Sequence, residues 1–174
     1  MLPPRVRIVE VGPRDGLQNE PTPIATDVKL AFIRALIQAG LRQVEATSFV
    51  HPKAVPQLAD AAEVAARLPD STGVVFSSLT PNERGLDRAL ESGLRRIAVF
   101  TAASETFTQK NIGMTIDESL EVFAKVIQRA CDAGLTARGY VSTAFVCPFE
   151  GDVKKERVRD VCAALLEMGV DEVA

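Results

Sequence analysis

The chain has 174 residues, 47% of them hydrophobic and 25% charged, with a formal net charge of −3, a globular composition long enough for one domain, residues 1–174, with a sizeable core. No basic run points to nucleic acid or an acidic membrane, and no apolar stretch is long enough for a bilayer span or a secretory signal, so a cytoplasmic protein is expected. Three cysteines without CxxC spacing argue against a disulfide framework and a structural zinc site.

After "MLPP" comes the apolar run of "RVRIVEV", read as a buried first strand that ends at "GPRDGLQNE". Asp15-Gly16 would suit a hairpin turn between two strands. Here "LQNEPTPIAT" and then a helical pattern follow, so Arg14 and Asp15 open a strand-to-helix connection of unusual length. The bland alternative is a surface turn with an ordinary ion pair.

From Thr26 the period turns helical, with Thr26 as the expected cap, Val28, Phe32, Ala35, Leu36 and Ala39 as the apolar stripe, and Gly40 past the end. A second helix is clearest at "TIDESLEVFAKVIQRACDAG". There Thr115 and Glu118 have capping-box spacing, Leu120, Phe123, Ile127 and Ala130 share a face, and Gly134 closes. A third pattern over 154–169 places Val158, Val161, Cys162, Leu165 and Leu166 on one side before Gly169. Cys131 and Cys162 are expected to face the core, whereas Cys147 lies in the loop-like "VCPFEG" as a packed thiol within possible reach of a ligand.

Short strands are expected after Gly40, Gly73, Gly93, Gly134 and Gly169. Strand and helix thus alternate about five times before a sixth strand begins, which implies a parallel sheet with helical crossovers. No G-x-G-x-x-G follows the first strand, and polar groups gather at several strand ends: Arg14 and Asp15, Thr47 and Ser48, Ser77 to Thr80, Thr101 to Ser104, Ser142 and Thr143. That pattern favours a (β/α)8 TIM barrel over a doubly wound sheet. Eight units need about 250 residues, so an incomplete barrel is expected, with open edges that favour a homo-oligomer. Within the second strand Glu45 is a carboxylate in a doubly buried position, costly unless paired or metal-bound. Arg138 poses the same problem with opposite sign. Either Glu45 pairs with Arg138 or Arg14 as an interior ion pair, or these residues form a pocket for an anionic substrate and a cation.

The segments "VEVGPRDGLQNE", "GLRQVEATSFVHPKAVPQ", "TPNERG", "FTAASETFTQKNIG" and "ARGYVSTAFVCPFEG" together resemble the amino-terminal part of hydroxymethylglutaryl-CoA lyases, within the DRE-type TIM-barrel metallolyase group. The Arg-Asp pair is shared across that group; "GPRDGLQNE" with "TSFVHPKAVPQ" points more narrowly to the lyases. The resemblance implies retro-Claisen cleavage of a 3-hydroxy-3-methylglutaryl thioester to acetyl-CoA and acetoacetate, with Mg²⁺ or Mn²⁺ as cofactor and an acyl-CoA thioester as partner. It assigns Arg14, Asp15 and Glu45 to catalysis, with Asp15 as metal ligand and Arg14 stabilising the enolate. Arg14, Gln18, Ser48, Arg138 and Cys147 are assigned to substrate binding.

The family also uses an H-x-H pair and a cysteine on a glycine-rich loop. The single histidine here, His51, matches neither ligand and reads as a structural or surface residue, and the cysteine loop would lie beyond Ala174. The chain alone is therefore expected to bind metal weakly and to be inactive. Two alternatives stay open: an acetyl-CoA-dependent condensing synthase of the isopropylmalate or homocitrate type, and a noncatalytic half-barrel assembly module.

Overall fold

The computed structural model describes residues 6–174. In chain order the elements are α1 (Thr26–Gln38), β1 (Gln43–Ser48), α2 (Ala61–Ala66), β2 (Val75–Leu79), α3 (Glu83–Glu91), β3 (Arg96–Ala102), α4 (Glu105–Ile112), α5 (Ile116–Asp132), β4 (Thr136–Ser142), β5 (Val146–Cys147), β6 (Gly151–Asp152), α6 (Lys155–Glu167) and β7 (Glu172–Val173). One five-stranded sheet has the order β1-β2-β3-β4-β7, and each pairing in it is parallel. Each strand thus lies beside its predecessor in the main sheet, without the reversal of strand order that defines a doubly wound sheet. The path is that of a barrel wall. No helix among the described residues is long and apolar enough to cross a membrane.

Local chemistry accounts for the helix ends. Thr115 and Glu118 form the full capping box at the start of α5, each side chain accepting the other residue's backbone N–H. Gly134 and Gly169, at φ 77° and 104°, occupy the left-handed region where a Cβ would clash, and each turns the chain from helix to strand. Phe123, Ile127 and Ala130 of α5 enter the main core as the period predicts, together with Val126, Ile97, Val99 and Leu165.

Several expectations change. The first strand is reduced to one bridge, Glu10 beside Val44. Glu10 N–H donates to Gln43 O and its carbonyl accepts from Glu45 N–H, while Val6 and Ile8 are exposed. These residues pair with β1 alone, and two ladder bonds hold little chain. In α1 the cap position falls to Ala25, whose methyl group cannot cap, and Thr26, inside the first turn, donates its Oγ1 to Asp60 Oδ2.

The buried stripe of α1 is also turned. Leu30 and Ile33 pack with Ala46 and Val64, leaving Val28 and Phe32 exposed. Both stripes satisfy a 3.6 period, and the contact with α2 and β1 selects between them. Lys29, on the buried side, is neutralised there by Asp60 Oδ1 at 2.6 Å and Gln57 O at 2.5 Å. In α6 Leu166 is exposed while Val161 and Leu165 are buried, and Cys131 at the end of α5 is exposed rather than core. Cys162 is partly buried against the core, as expected. Two elements have no counterpart in the periodicity: α4, capped by Ser104, and the β5–β6 hairpin.

Close packing sets a testable cost at Gly85, in the first turn of α3. A Cβ there would stand 2.9 Å from the backbone oxygen of Phe49 and 3.2 Å from Pro81. Helix propensity alone favours Gly85→Ala by about 1 kcal/mol. A clash against backbone opposes it by about 1–3 kcal/mol. The clash wins, and a lower urea unfolding midpoint for Gly85→Ala is the expected result.

Candidate active site

The residues after Glu10 form a wide helical turn, Gly12–Gly16, of the rare i→i+5 kind that recurs at functional sites. Pro13 sits buried at its start, where the missing N–H costs nothing. The Glu10 carboxylate accepts from Gly12 N–H at 2.6 Å, and Val11 O accepts from the amides of Arg14 and Asp15. "GPRDG" is therefore neither a hairpin nor a loose surface turn. It brings the Arg14 side chain back to Glu45 on β1 and sets Asp15 beside it.

Glu45, on β1, is fully buried, and the alternatives for its partner resolve in favour of Arg14. Arg14 Nε donates to Glu45 Oε1 at 2.5 Å, and Arg14 Nη1 donates to Asp15 Oδ1 at 2.6 Å. The second Glu45 oxygen, Oε2, accepts from the Tyr140 hydroxyl at 2.9 Å. Arg14 Nη2 has no hydrogen-bond partner among the described residues, so one whole nitrogen of a fixed guanidinium, with both its N–H groups, remains for a ligand. Asp15, whose side chain is half exposed, also accepts from Gln18 Nε2 at 3.3 Å through Oδ1, and its backbone carbonyl accepts from Asn19 Nδ2.

Arg138 does not reach Glu45. Its Nη1 lies 2.9 Å from Glu172 Oε2 on the neighbouring β7, without hydrogen-bonding alignment, and its Nε is likewise buried without a partner. Its guanidinium carbon stands 5.1 Å from the centre of the Tyr140 ring, while that of Arg14 stands 6.0 Å away. Glu172 also receives Arg96 at 3.0 Å and Arg7 at 3.6 Å. Ser48 is buried and spent on backbone, donating to Leu79 O and accepting from Val50 N–H.

Cys147 is the packed thiol expected, buried with Ser104 Oγ donating to Sγ at 3.0 Å and Phe149 N–H at 3.4 Å. Burial pushes its pKa up, but these hydrogen bonds and one from the Glu150 backbone outweigh it and leave the thiol below its ordinary value. His51 is exposed, its Nδ1 accepting from Lys53 N–H. Tyr140 is the participant that the sequence reading lacked. Its position was readable, because residues two apart on a strand share a face, and Tyr140 follows Arg138 by two.

A hard divalent cation takes about six oxygen ligands. Asp15 offers one suitable carboxylate at the rim, and among the described residues no group of three His, Cys, Asp or Glu side chains could hold a metal. The donor set fits a cation that draws most of its ligands from elsewhere.

The family model described as HMGL-like matches residues 5–174. The chain belongs to the HMGL-like family. Its similarity to the hydroxymethylglutaryl-CoA lyase YngG of Bacillus subtilis is 48% identity over 172 residues, covering 99% of this chain and 58% of that protein. The crystal structure of hydroxymethylglutaryl-CoA lyase from Pseudomonas aeruginosa superposes with a TM-score of 0.95 at 48% identity, over 99% of this chain and 57% of that one. An HMG-CoA lyase from Acinetobacter baumannii, solved with coenzyme A and 3-methylmalate, matches with a TM-score of 0.90 at 34% identity, over 96% and 54%. This HMGL-like chain thus spans a little over half the length of the relatives it matches, and its sheet is the corresponding part of their barrel.

Tyr140 is the only tyrosine of the 174 residues, so its ionisation can be followed in isolation. Burial, then the charge of Glu45 and the hydrogen bond to it, raise the hydroxyl well above its ordinary value, against the opposing pull of Arg138 and Arg14. A proton held more tightly by the folded state means stability that is complete below about pH 10, the unfolded tyrosine range, and falls as pH rises beyond it. Ultraviolet titration of the chain should show no tyrosinate until the protein unfolds in alkali.

Proposed function

We propose that residues 1–174 form the amino-terminal part of one barrel-shaped catalytic domain, and that the full-length protein carrying them cleaves 3-hydroxy-3-methylglutaryl-CoA to acetyl-CoA and acetoacetate. The observation that carries this reading is a guanidinium held by a fully buried carboxylate, with its Nη2 left over, beside a half-exposed carboxylate at the same rim.

The reaction breaks the bond between C2 and C3 of the acyl chain. The tertiary hydroxyl loses its proton, C3 becomes the ketone of acetoacetate, and the bond's electron pair passes to the acetyl thioester as an enolate, whose carbon then takes up a proton. Negative charge develops on the thioester oxygen, and Arg14 Nη2 is the donor assigned to it. Because Arg14 is already clamped by Glu45, little reorganisation is required as that charge forms. Asp15 is the assigned ligand of a divalent cation, Mg²⁺ or Mn²⁺, which when bound acidifies and orients the tertiary hydroxyl. Gln18 supports Asp15 directly. Arg138 acts through the Tyr140 ring, and Ser48 and Cys147 set the strand ends that shape the mouth of the site.

Two substitutions in the full-length protein test the roles. Arg14→Gln should lower kcat by about 10²–10³-fold, the usual loss for one oxyanion donor. Asp15→Ala should abolish the response of activity to added Mg²⁺ or Mn²⁺ after chelation. Full cleavage activity in Asp15→Ala, assayed by release of acetyl-CoA, contradicts the assignment.

A further inference from the structure

We infer that Tyr140 is a positioning residue for Arg14, acting by two routes, its hydroxyl through Glu45 and its ring directly. The inference rests on the lyase reading only for its kinetic consequence. Tyr140 shares the inner face of β4 with Arg138 and stands 95 residues from Glu45 in the chain. Glu45 is fully buried, and each of its oxygens has one partner: Arg14 Nε on Oε1 and the Tyr140 hydroxyl on Oε2. A buried carboxylate that loses one of two donors is left with an unmet acceptor. It then turns to satisfy both lone-pair sets with the remaining donor, and Arg14 moves with it.

The ring supplies the second route. The guanidinium carbons of Arg14 and Arg138 stand 6.0 and 5.1 Å from its centre, within the range of cation–π attraction. Arg138 has its own counterion in Glu172, so it supports the ring without drawing on Glu45. Arg14 is thereby fixed by hydrogen bonds on one side and an aromatic surface on another. Asp15 keeps Gln18 and its backbone link to Asn19 independently of Tyr140.

The experiment uses the full-length protein with Tyr140→Phe, which keeps the ring, and Tyr140→Leu, which removes both routes. NMR of the arginine Nε–H groups, with the Arg14 signal identified by its loss in Arg14→Gln, reports on Arg14 without any substrate. Tyr140→Phe should shift that signal and speed its exchange with water, and Tyr140→Leu should do so further. For cleavage of 3-hydroxy-3-methylglutaryl-CoA, kcat should fall by about 10-fold in Phe and about 100-fold in Leu, the range seen when a supporting partner is removed. KM and Mn²⁺ affinity should stay within about threefold, because the loss is confined to a contact made in the transition state.

An unchanged Arg14 signal in Tyr140→Phe overturns the inference. So does a loss of kcat matched by a proportionate loss of Mn²⁺ binding or of melting temperature, which marks a merely structural role. If the unaltered protein does not cleave the thioester, the lyase reading falls, and the NMR arm alone decides the positioning. If Tyr140→Leu does not fold, Tyr140→Phe carries the decision.

Discussion

A carboxylate with no access to solvent, Glu45 in the middle of β1, is the constraint on which the arrangement of this protein turns. Desolvating such a group costs several kcal/mol unless opposite charge and hydrogen bonds compensate. The compensation comes from two distant places, Arg14 on the turn that precedes α1 and Tyr140 on β4. The demand of one buried group therefore ties the opening turn to the first and fourth strands of the main sheet and converts a glycine-proline segment into a fixed platform.

Charge continues along the same face of the sheet from that point. Arg138 follows Tyr140, Glu172 follows Arg138, and Arg96 and Asp171 complete the series with ion pairs at 3.0 and 2.8 Å. A sheet face filled by Leu and Val would be at least as stable, since buried ion pairs gain little over well-packed apolar groups. The other face of the same sheet has that character: Ile97, Val99, Ala137 and Val141 pack against α5 and α6. The two faces divide the labour. Apolar packing against helices holds the strands together, and the polar face holds side chains in defined orientations at the price of stability.

Likeness to the HMG-CoA lyases covers 99% of the chain, in sequence and in backbone, and it agrees with the motifs that carry the resemblance. The geometry adds a division of roles within "PRDGLQ". Arg14 is anchored inward and largely buried, whereas Asp15 faces outward and is half exposed. One residue is anchored by its ion pairs and its neighbour is open to solvent. Among the described residues no pair of His, Cys, Asp or Glu side chains joins Asp15 in a metal-binding group.

Much of the architecture could be read from local pattern. The capping box at Thr115, the stops at Gly134 and Gly169, the apolar face of α5 and the strand that buries Glu45 each follow from a period of 3.6 or 2, or from a φ open chiefly to glycine. The same patterns could not choose between the two stripes of α1, assign Arg138 to Glu172 rather than Glu45, or bring Tyr140 to the opening turn. Those outcomes depend on which groups meet across 31 to 95 residues of chain. A periodic signal states that a face will be buried or a charge paired. Only the packed neighbours, competing for the same desolvated space, decide which partner satisfies it.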